Sequence, residues 1–236
     1  MRLDNYLVDK GLASSRTKAQ ALIKDGFVSL NGKSIFKSSY KIEVDRDEVV
    51  VAKHKEYVSR SAYKLSAFLD ELDLDVSGSV ALDIGSSTGG FTQVLLERGV
   101  KEVSAVDVGR EQLHKTLLED KRVFSYESCD IRKFESRKKF DLVVSDVAFI
   151  SLLNILDAID RLACEKIILL FKPQFEVGRE AKRDNHGVVL DQKAILHAMI
   201  KFEDACELKE WKLMKKSASK LTGKEGNLEQ CYYYEK

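Results

Sequence analysis

Asp83, Gly85, Ser86, Ser87, Thr88, Gly89, Gly90 and Phe91 make a glycine-rich stretch between the apolar run Val80-Ala81-Leu82 and a helical pattern. A turn of this kind lets the backbone approach a ligand at the carboxyl end of a buried strand, where open α/β sheets bind nucleotides. Asp107 closes the next apolar run, 22 residues beyond Gly85, where a carboxylate can accept both hydroxyls of a ribose. The spacing Gly-x-x-x-Gly-Gly departs from the Gly-x-Gly-x-x-Gly of nicotinamide enzymes. Two further groups stand at strand ends beside the turn: Asp146 after Leu142-Val143-Val144-Ser145, and Lys172 after Ile167 to Phe171. Pro173, the only proline, biases Lys172 toward an extended conformation that carries it to the rim of a sheet. A lysine there can accept a proton only when burial or a second cation disfavours its ammonium form.

The elements that must hold these residues follow from periodicity. Val80–Ile84, Glu102–Val106, Val123–Tyr126, Leu142–Ser145 and Lys166–Phe171 read as strands of a parallel sheet with helices in the gaps. A helix from about Arg60 to Leu72 precedes them, and Trp211–Lys216 with Gln230–Tyr234 read as an edge hairpin. Residues 1–52 have a different grain. Leu3, Tyr6 and Leu7 fall at helical spacing before Gly11. A second helix, capped near Ser14 or Ser15, carries Ala19, Leu22 and Ile23 to Gly26. Phe27, Val28 and Leu30 then run into Asn31-Gly32, a two-residue hairpin signal because both turn positions need positive φ. Ile42, Val44 and Val49 to Val51 are expected to add strands. Lys53 to Ser59 lacks periodicity and reads as a linker, giving domains at 1–52 and 60–236.

Composition narrows the class. The chain has 236 residues, 44% of them hydrophobic, and a net charge of +1. The longest strongly apolar run, Ile167 to Phe171, is far short of the roughly 20 residues that span a bilayer. The charged stretch Met1 to Lys10 is unlike a signal peptide, so the expected location is cytoplasmic and no membrane partner is expected. Cys129, Cys164, Cys206 and Cys231 are scattered, which suggests neither a metal site nor a disulfide framework. Residues 1–65 hold 13 Lys/Arg against 8 Asp/Glu, whereas the remainder holds 26 against 30. The front of the chain is the basic part.

Arg2-Leu3-Asp4, Ser15-Arg16-Thr17-Lys18-Ala19 and Gly26-Phe27-Val28-Ser29-Leu30-Asn31-Gly32 together resemble the RNA-binding domain named after small-subunit ribosomal protein four. The resemblance implies a basic face that would use Arg2, Arg16, Lys18, Lys24 and Lys33 on RNA phosphates. The remainder resembles the hemolysin A-like (TlyA) family of ribosomal RNA methyltransferases, within the FtsJ-like ribose methyltransferases. The segments that carry it are Ser59-Arg60 to Leu65, Asp83 to Phe91, Ser145-Asp146-Val147-Ala148-Phe149, Phe171-Lys172-Pro173-Gln174-Phe175-Glu176 and Gly226-Asn227-Leu228-Glu229.

That resemblance implies a Rossmann-like class I methyltransferase domain with a mainly parallel seven-stranded sheet, behind a small α+β RNA-binding domain. It implies S-adenosylmethionine as cofactor and Lys64, Asp146, Lys172 and Glu229 as the catalytic tetrad, with Asp146 also facing the cofactor. Asp83 would serve the turn and the methionine end, or else have a purely structural capping role, and Asp130 would accept from the adenine amino group; otherwise Asp130 is a helix N-cap. Arg60 would join the RNA contacts. The implied product is a 2′-O-methylcytidine in ribosomal RNA, a modification linked to sensitivity toward ribosome-binding cyclic peptide antibiotics. Because the chain starts almost at the RNA domain, it resembles the shorter form of the family associated with the large-subunit site. Lys224-Glu225 replaces small residues usual before Gly-Asn-x-Glu, leaving Glu225 as a weaker alternative to Glu229. Rival readings are an assembly factor with a vestigial cofactor site and a membrane-active hemolysin; the second lacks a spanning segment.

Overall fold

The computed structural model describes residues 1–24, 26–52 and 57–236, which fall into two compact units with a division between Glu56 and Tyr57. In the first, helix α1 (Leu3–Asp9) and helix α2 (Arg16–Lys24) accompany a three-stranded sheet of β1 (Val28–Leu30), β2 (Lys33–Ser34) and β3 (Val49–Val51), with β1 in the middle. Leu3, Leu7, Ala19, Ile23, Val28 and Ile42 make its core. Gly11 and Gly26 have positive φ just beyond the helices, and the Lys18 N–H donates to Ser15 Oγ at 3.2 Å as an N-cap. Asn31 and Gly32 both adopt positive φ, and Leu30 pairs with Lys33 across them, the two-residue hairpin expected of Asn-Gly. Ile42 and Val44 form no strand. Ile42 is buried as a single anchor, whereas Val44 is exposed, so one apolar position rather than an alternating run was there to be read.

The second unit opens before the expected boundary. Tyr57 and Val58 pack against its core, and the Val58 N–H donates to Gln93 Oε1 at 2.9 Å. Residues 53–56 of the expected linker lie outside the described residues. Helix α3 (Ser61–Leu72) leads into a seven-stranded sheet built from β4 (Val80–Ile84), β5 (Glu102–Val106), β6 (Val123–Tyr126), β7 (Phe140–Ser145), β8 (Ala163–Phe171), β9 (Lys212–Ala218) and β10 (Gln230–Glu235). The order is β6-β5-β4-β7-β8-β10-β9. The first five strands are parallel, and β10 runs antiparallel between β8 and β9. The last two strands are thus paired as expected, but only β9 is an edge.

Helices α4 (Gly90–Glu97), α5 (Lys115–Leu118), α6 (Leu156–Leu162), α7 (Pro173–Glu176) and α8 (Gln192–Glu207) complete the unit. Between β6 and β7 the chain makes turns instead of the expected helix. Apolar clusters cover both faces of the sheet, one including Val143, Phe171 and Phe202 and the other Leu65, Leu95 and Leu142. A sheet buried on both faces leaves its strand ends as the place for chemistry.

Candidate active site

A cavity of about 510 Å³ opens at the carboxyl ends of β4, β5 and β7, with Gly85, Ser87, Asp107, Asp130 and Asp146 in its wall. Gly85 has φ +79°, and a Cβ there would lie 3.0 Å from the Asp146 carbonyl oxygen. Only glycine lets the first turn lie this close to the end of β7. Asp107 directly follows β5. The Ser87 N–H donates to its Oδ2 at 2.8 Å and the Gly109 N–H to its Oδ1 at 2.6 Å. Each oxygen therefore carries one backbone donor and keeps acceptor capacity. Asp130 sits in the turns after β6 and caps no helix. Arg132 grips both of its oxygens through Nε, at 3.0 and 3.1 Å, and this holds the carboxyl down to about 2.

The other residues of the glycine-rich stretch lie outside the cavity wall. Asp83 is fully buried in β4, where Thr92 Oγ1 donates to its Oδ2 at 2.6 Å and its Oδ1 has no hydrogen-bond partner. Burial, with Asp146 as an acidic neighbour, pushes its carboxyl up to about 7 against the Thr92 hydrogen bond. Ser86 is buried, its carbonyl taking the Gly89 N–H at 2.7 Å, and Thr88 is exposed. Gly89, Gly90 and Phe91 are buried at the start of α4. A Cβ on Gly90 would come within 2.4 Å of Ser61 Oγ and 3.0 Å of the Ala62 nitrogen. The glycine turn thus seats α4 directly on α3, the helix that carries Lys64.

The four expected catalytic residues form two ion pairs. Lys172 Nζ meets Asp146 Oδ1 at 2.5 Å, and Lys64 Nζ meets Glu229 Oε2 at 2.5 Å. Sheet register explains the grouping: Ser145 pairs with Leu169, and Gln230 pairs with Phe171. Continuing those registers puts Glu229 opposite Lys172, while Asp146 falls opposite Leu170, two residues before Lys172 on the same strand. A lysine on α3 would ordinarily be solvated, yet Lys64 is 8% exposed, because its partner 165 residues away gives the buried ammonium a matching charge. Glu225 is exposed and takes no part. Asn227 is buried, accepting from the Val189 N–H at 3.0 Å and donating to the Gly187 carbonyl at 3.3 Å. It ties the segment before Glu229 to the 187–189 turn, a role absent from the sequence reading.

Phe149 is a second omission. It lines the cavity, is 92% exposed and has φ +64°, a conformation uncommon for a bulky side chain and typical of strained functional loops. Its ring lies 5.3 Å from that of Phe175. The available signal was a large aromatic three residues past a strand-end carboxylate. Arg132, Gly109 and Val147 also line the cavity. In the first unit Arg16, Lys18, Lys24 and Lys33 are exposed and Arg2 is half-buried; Arg60, in the second unit, is half-buried at the start of α3.

Comparison with known proteins agrees with this layout. The FtsJ-like methyltransferase profile matches residues 57–235 and the S4 domain profile residues 1–50. The chain is 44% identical to the 23S rRNA (cytidine-2'-O)-methyltransferase TlyA of Campylobacter jejuni, over 99% of both chains. It is 37% identical to the 16S/23S rRNA (cytidine-2'-O)-methyltransferase TlyA of Mycobacterium tuberculosis, covering 97% of this chain and 87% of that one. A solved structure from Streptococcus thermophilus, described as a hemolysin, superposes with a TM-score of 0.75 at 33% identity, covering 100% of this chain and 88% of that one. Among the described residues no helix is long and apolar enough to cross a membrane. With a family profile spanning the whole second unit and relatives matched end to end, the chain belongs to the FtsJ-like methyltransferase family, in its TlyA-type branch with an S4 domain in front.

Proposed function

We propose that the chain moves the methyl group of S-adenosylmethionine to the ribose 2′-oxygen of a cytidine in large-subunit ribosomal RNA. One observation carries the reading: Asp146 both lines the cavity and pairs with Lys172, so a bound cofactor and a group held by Lys172 meet at one carboxylate. The full-length similarity to the Campylobacter jejuni enzyme supports the choice of substrate.

The donor set fits this cofactor. The cavity lies within the usual range of roughly 300–1,000 Å³ for small-molecule sites, and the remaining acceptor capacity of Asp107 suits the two ribose hydroxyls. Asp130 stands ready to accept from an adenine amino group. When bound, the cofactor supplies an electrophilic methyl group on a sulfonium. Lys172, fixed by Asp146, hydrogen-bonds the attacking 2′-oxygen and steadies the charge that builds on it, while the hydroxyl proton passes to solvent water and the sulfonium sulfur leaves as a neutral thioether. Lys64 and Glu229 form the other side of the site and fix its electrostatic field. Phe149, already bared to solvent, offers its face to an extruded base.

The test is direct. Purified protein, methyl-labelled S-adenosylmethionine and large subunits from cells lacking the gene are incubated, and the RNA is digested for mass spectrometry. Labelled 2′-O-methylcytidine is expected. Label confined to another nucleoside, or no label in RNA, would overturn the reading.

A further inference from the structure

Asp4 of the first unit is fully buried, yet it lies between two of the cations expected to touch RNA. Arg2 donates Nε to Oδ1 and Nη2 to Oδ2, both at 2.9 Å. Arg16 donates Nε to the same Oδ2 at 3.1 Å, and Gln20 Nε2 reaches it at 2.9 Å. The Asn5 N–H adds a bond to Oδ1 at 3.0 Å. The carboxyl is held well below the ordinary carboxylate range, chiefly by the Arg2 hydrogen bonds. Arg2 and Arg16 themselves keep 39% and 57% of their side chains exposed.

Two features make this more than a structural ion pair. First, α1 and α2 already share an apolar core through Leu3, Leu7, Ala19 and Ile23, so packing has another source. Second, both guanidinium groups touch one oxygen, which places those nitrogens no more than about 6 Å apart. Two like charges that close repel and would separate without the anion between them. Each guanidinium has five N–H groups, and Asp4 occupies two on Arg2 and one on Arg16.

We infer that Asp4 is a positioning residue for RNA binding: it fastens Arg2 and Arg16 into one preformed two-arginine clamp for a backbone phosphate. The inference rests on the reading of the first unit as the part that grips ribosomal RNA. The clamp gains by rigidity what it gives up in charge, since two long side chains need not be immobilised when RNA arrives.

Charge and position predict opposite signs, which makes the test sharp. Asp4→Asn adds one positive charge to the face. If charge alone governed binding, affinity for RNA would rise. If Asp4 positions the clamp, affinity falls at least about fivefold, and the salt slope drops by about one as a phosphate contact is lost. The measurement is filter binding of the full chain to large ribosomal subunits from cells lacking the gene, across a series of KCl concentrations. Cofactor affinity should stay unchanged while the KM for subunits rises. Folded Asp4→Asn protein that binds as well as wild type, or better, would overturn the inference.

If Asp4→Asn fails to fold, Arg16→Lys decides the matter. It keeps the charge and keeps Asp4, but replaces a planar fork by a mobile point charge, and is expected to weaken binding about threefold or more. Wild-type affinity in Arg16→Lys would likewise overturn the clamp. The Arg2→Ala/Arg16→Ala double variant separates the two levels. Unchanged binding there removes the first unit's role in gripping RNA and the clamp with it. Weakened binding there, beside unweakened Asp4→Asn, removes the clamp alone.

Discussion

Two aspartates, one in each unit, are both closed to solvent yet treated in opposite ways. Asp4 and Asp83 are both 0% exposed. Asp4 is surrounded by donors on two arginines, a glutamine and a backbone amide, and is held well below the carboxylate range. Asp83 has one hydroxyl and an orphan oxygen, and burial pushes it up to about 7. Closure to solvent alone does not set the charge of a carboxylate: depth of burial raises its pKa, and the donors brought to it lower it. A saturated carboxylate organises its neighbours, whereas an unsaturated one in the interior holds its proton more tightly. In the donors brought to them, Asp146 and Glu229 form an intermediate class, each answered by a single lysine.

The comparison breaks most visibly at that intermediate class. If Lys172 were only a counterion to Asp146, its loss would cost stability and spare turnover. Lys172→Ala is expected instead to lower methyl transfer by about two to four orders of magnitude, with cofactor affinity in calorimetry nearly unchanged. Retention of more than about a tenth of wild-type turnover would remove Lys172 from the chemistry.

Next in size is the pH dependence of Asp83. Its folded carboxyl binds a proton more tightly than the unfolded group with its ordinary value of 3.8. Its contribution to stability is therefore complete below about pH 4 and is lost as pH rises through about 7. A rise from 3.8 to about 7 corresponds to roughly 4 kcal/mol. Trp211, the only tryptophan, is buried in the second unit and reports that unit in urea unfolding. Wild type should lose stability between pH 4 and pH 8 where Asp83→Asn does not, and equal pH slopes for the two proteins would refute the idea. Asp4 has the reverse sign. Its stabilisation is present above about pH 4, near its ordinary value of 3.8, and disappears in stronger acid.

Asp107 gives the smallest and most specific effect. Half-saturated by Ser87 and Gly109, it should behave as a ligand acceptor. Asp107→Ala is expected to weaken S-adenosylmethionine binding by about 1.5–3 kcal/mol through lost charge-assisted bonds, with the fold intact by circular dichroism. An unchanged dissociation constant would place Asp107 with the structural carboxylates.

How much of this could be read in the sequence depended on whether the cause was local. Val80–Ile84 and Glu102–Val106 are legible residue for residue, because central parallel strands need continuous apolar runs; Val123–Tyr126, an exposed edge strand, is legible from its β-branched and aromatic residues. Asn31-Gly32 is legible because turn geometry demands those residue types. Lys64 is not legible by itself, since its burial depends on Glu229, and pattern alone reads it as solvated. The resemblance to a family placed Lys64 and Glu229 in one tetrad where physics on the sequence did not, and the pairing itself is a finding of the structure. Phe149 was missed because an exposed aromatic breaks no local rule until its backbone angle is known. The place of β10 was missed because strand order is a tertiary property; two adjacent strands pair equally well at an edge or with one of them inside.

That place of β10 has a consequence for how activity is acquired. The cavity is built by β4, β5 and β7, all complete by Ser145, whereas Glu229 arrives with a strand that must insert between β8 and β9. The Lys64–Glu229 contact spans 165 residues, and contacts of such range form late because their loop entropy is lost before any reward. On the proposed function, the expected order is that the cofactor cavity is complete before the Lys64–Glu229 pair of the transfer site forms. Closure of the sheet around its penultimate strand is then the step that completes the proposed transfer site.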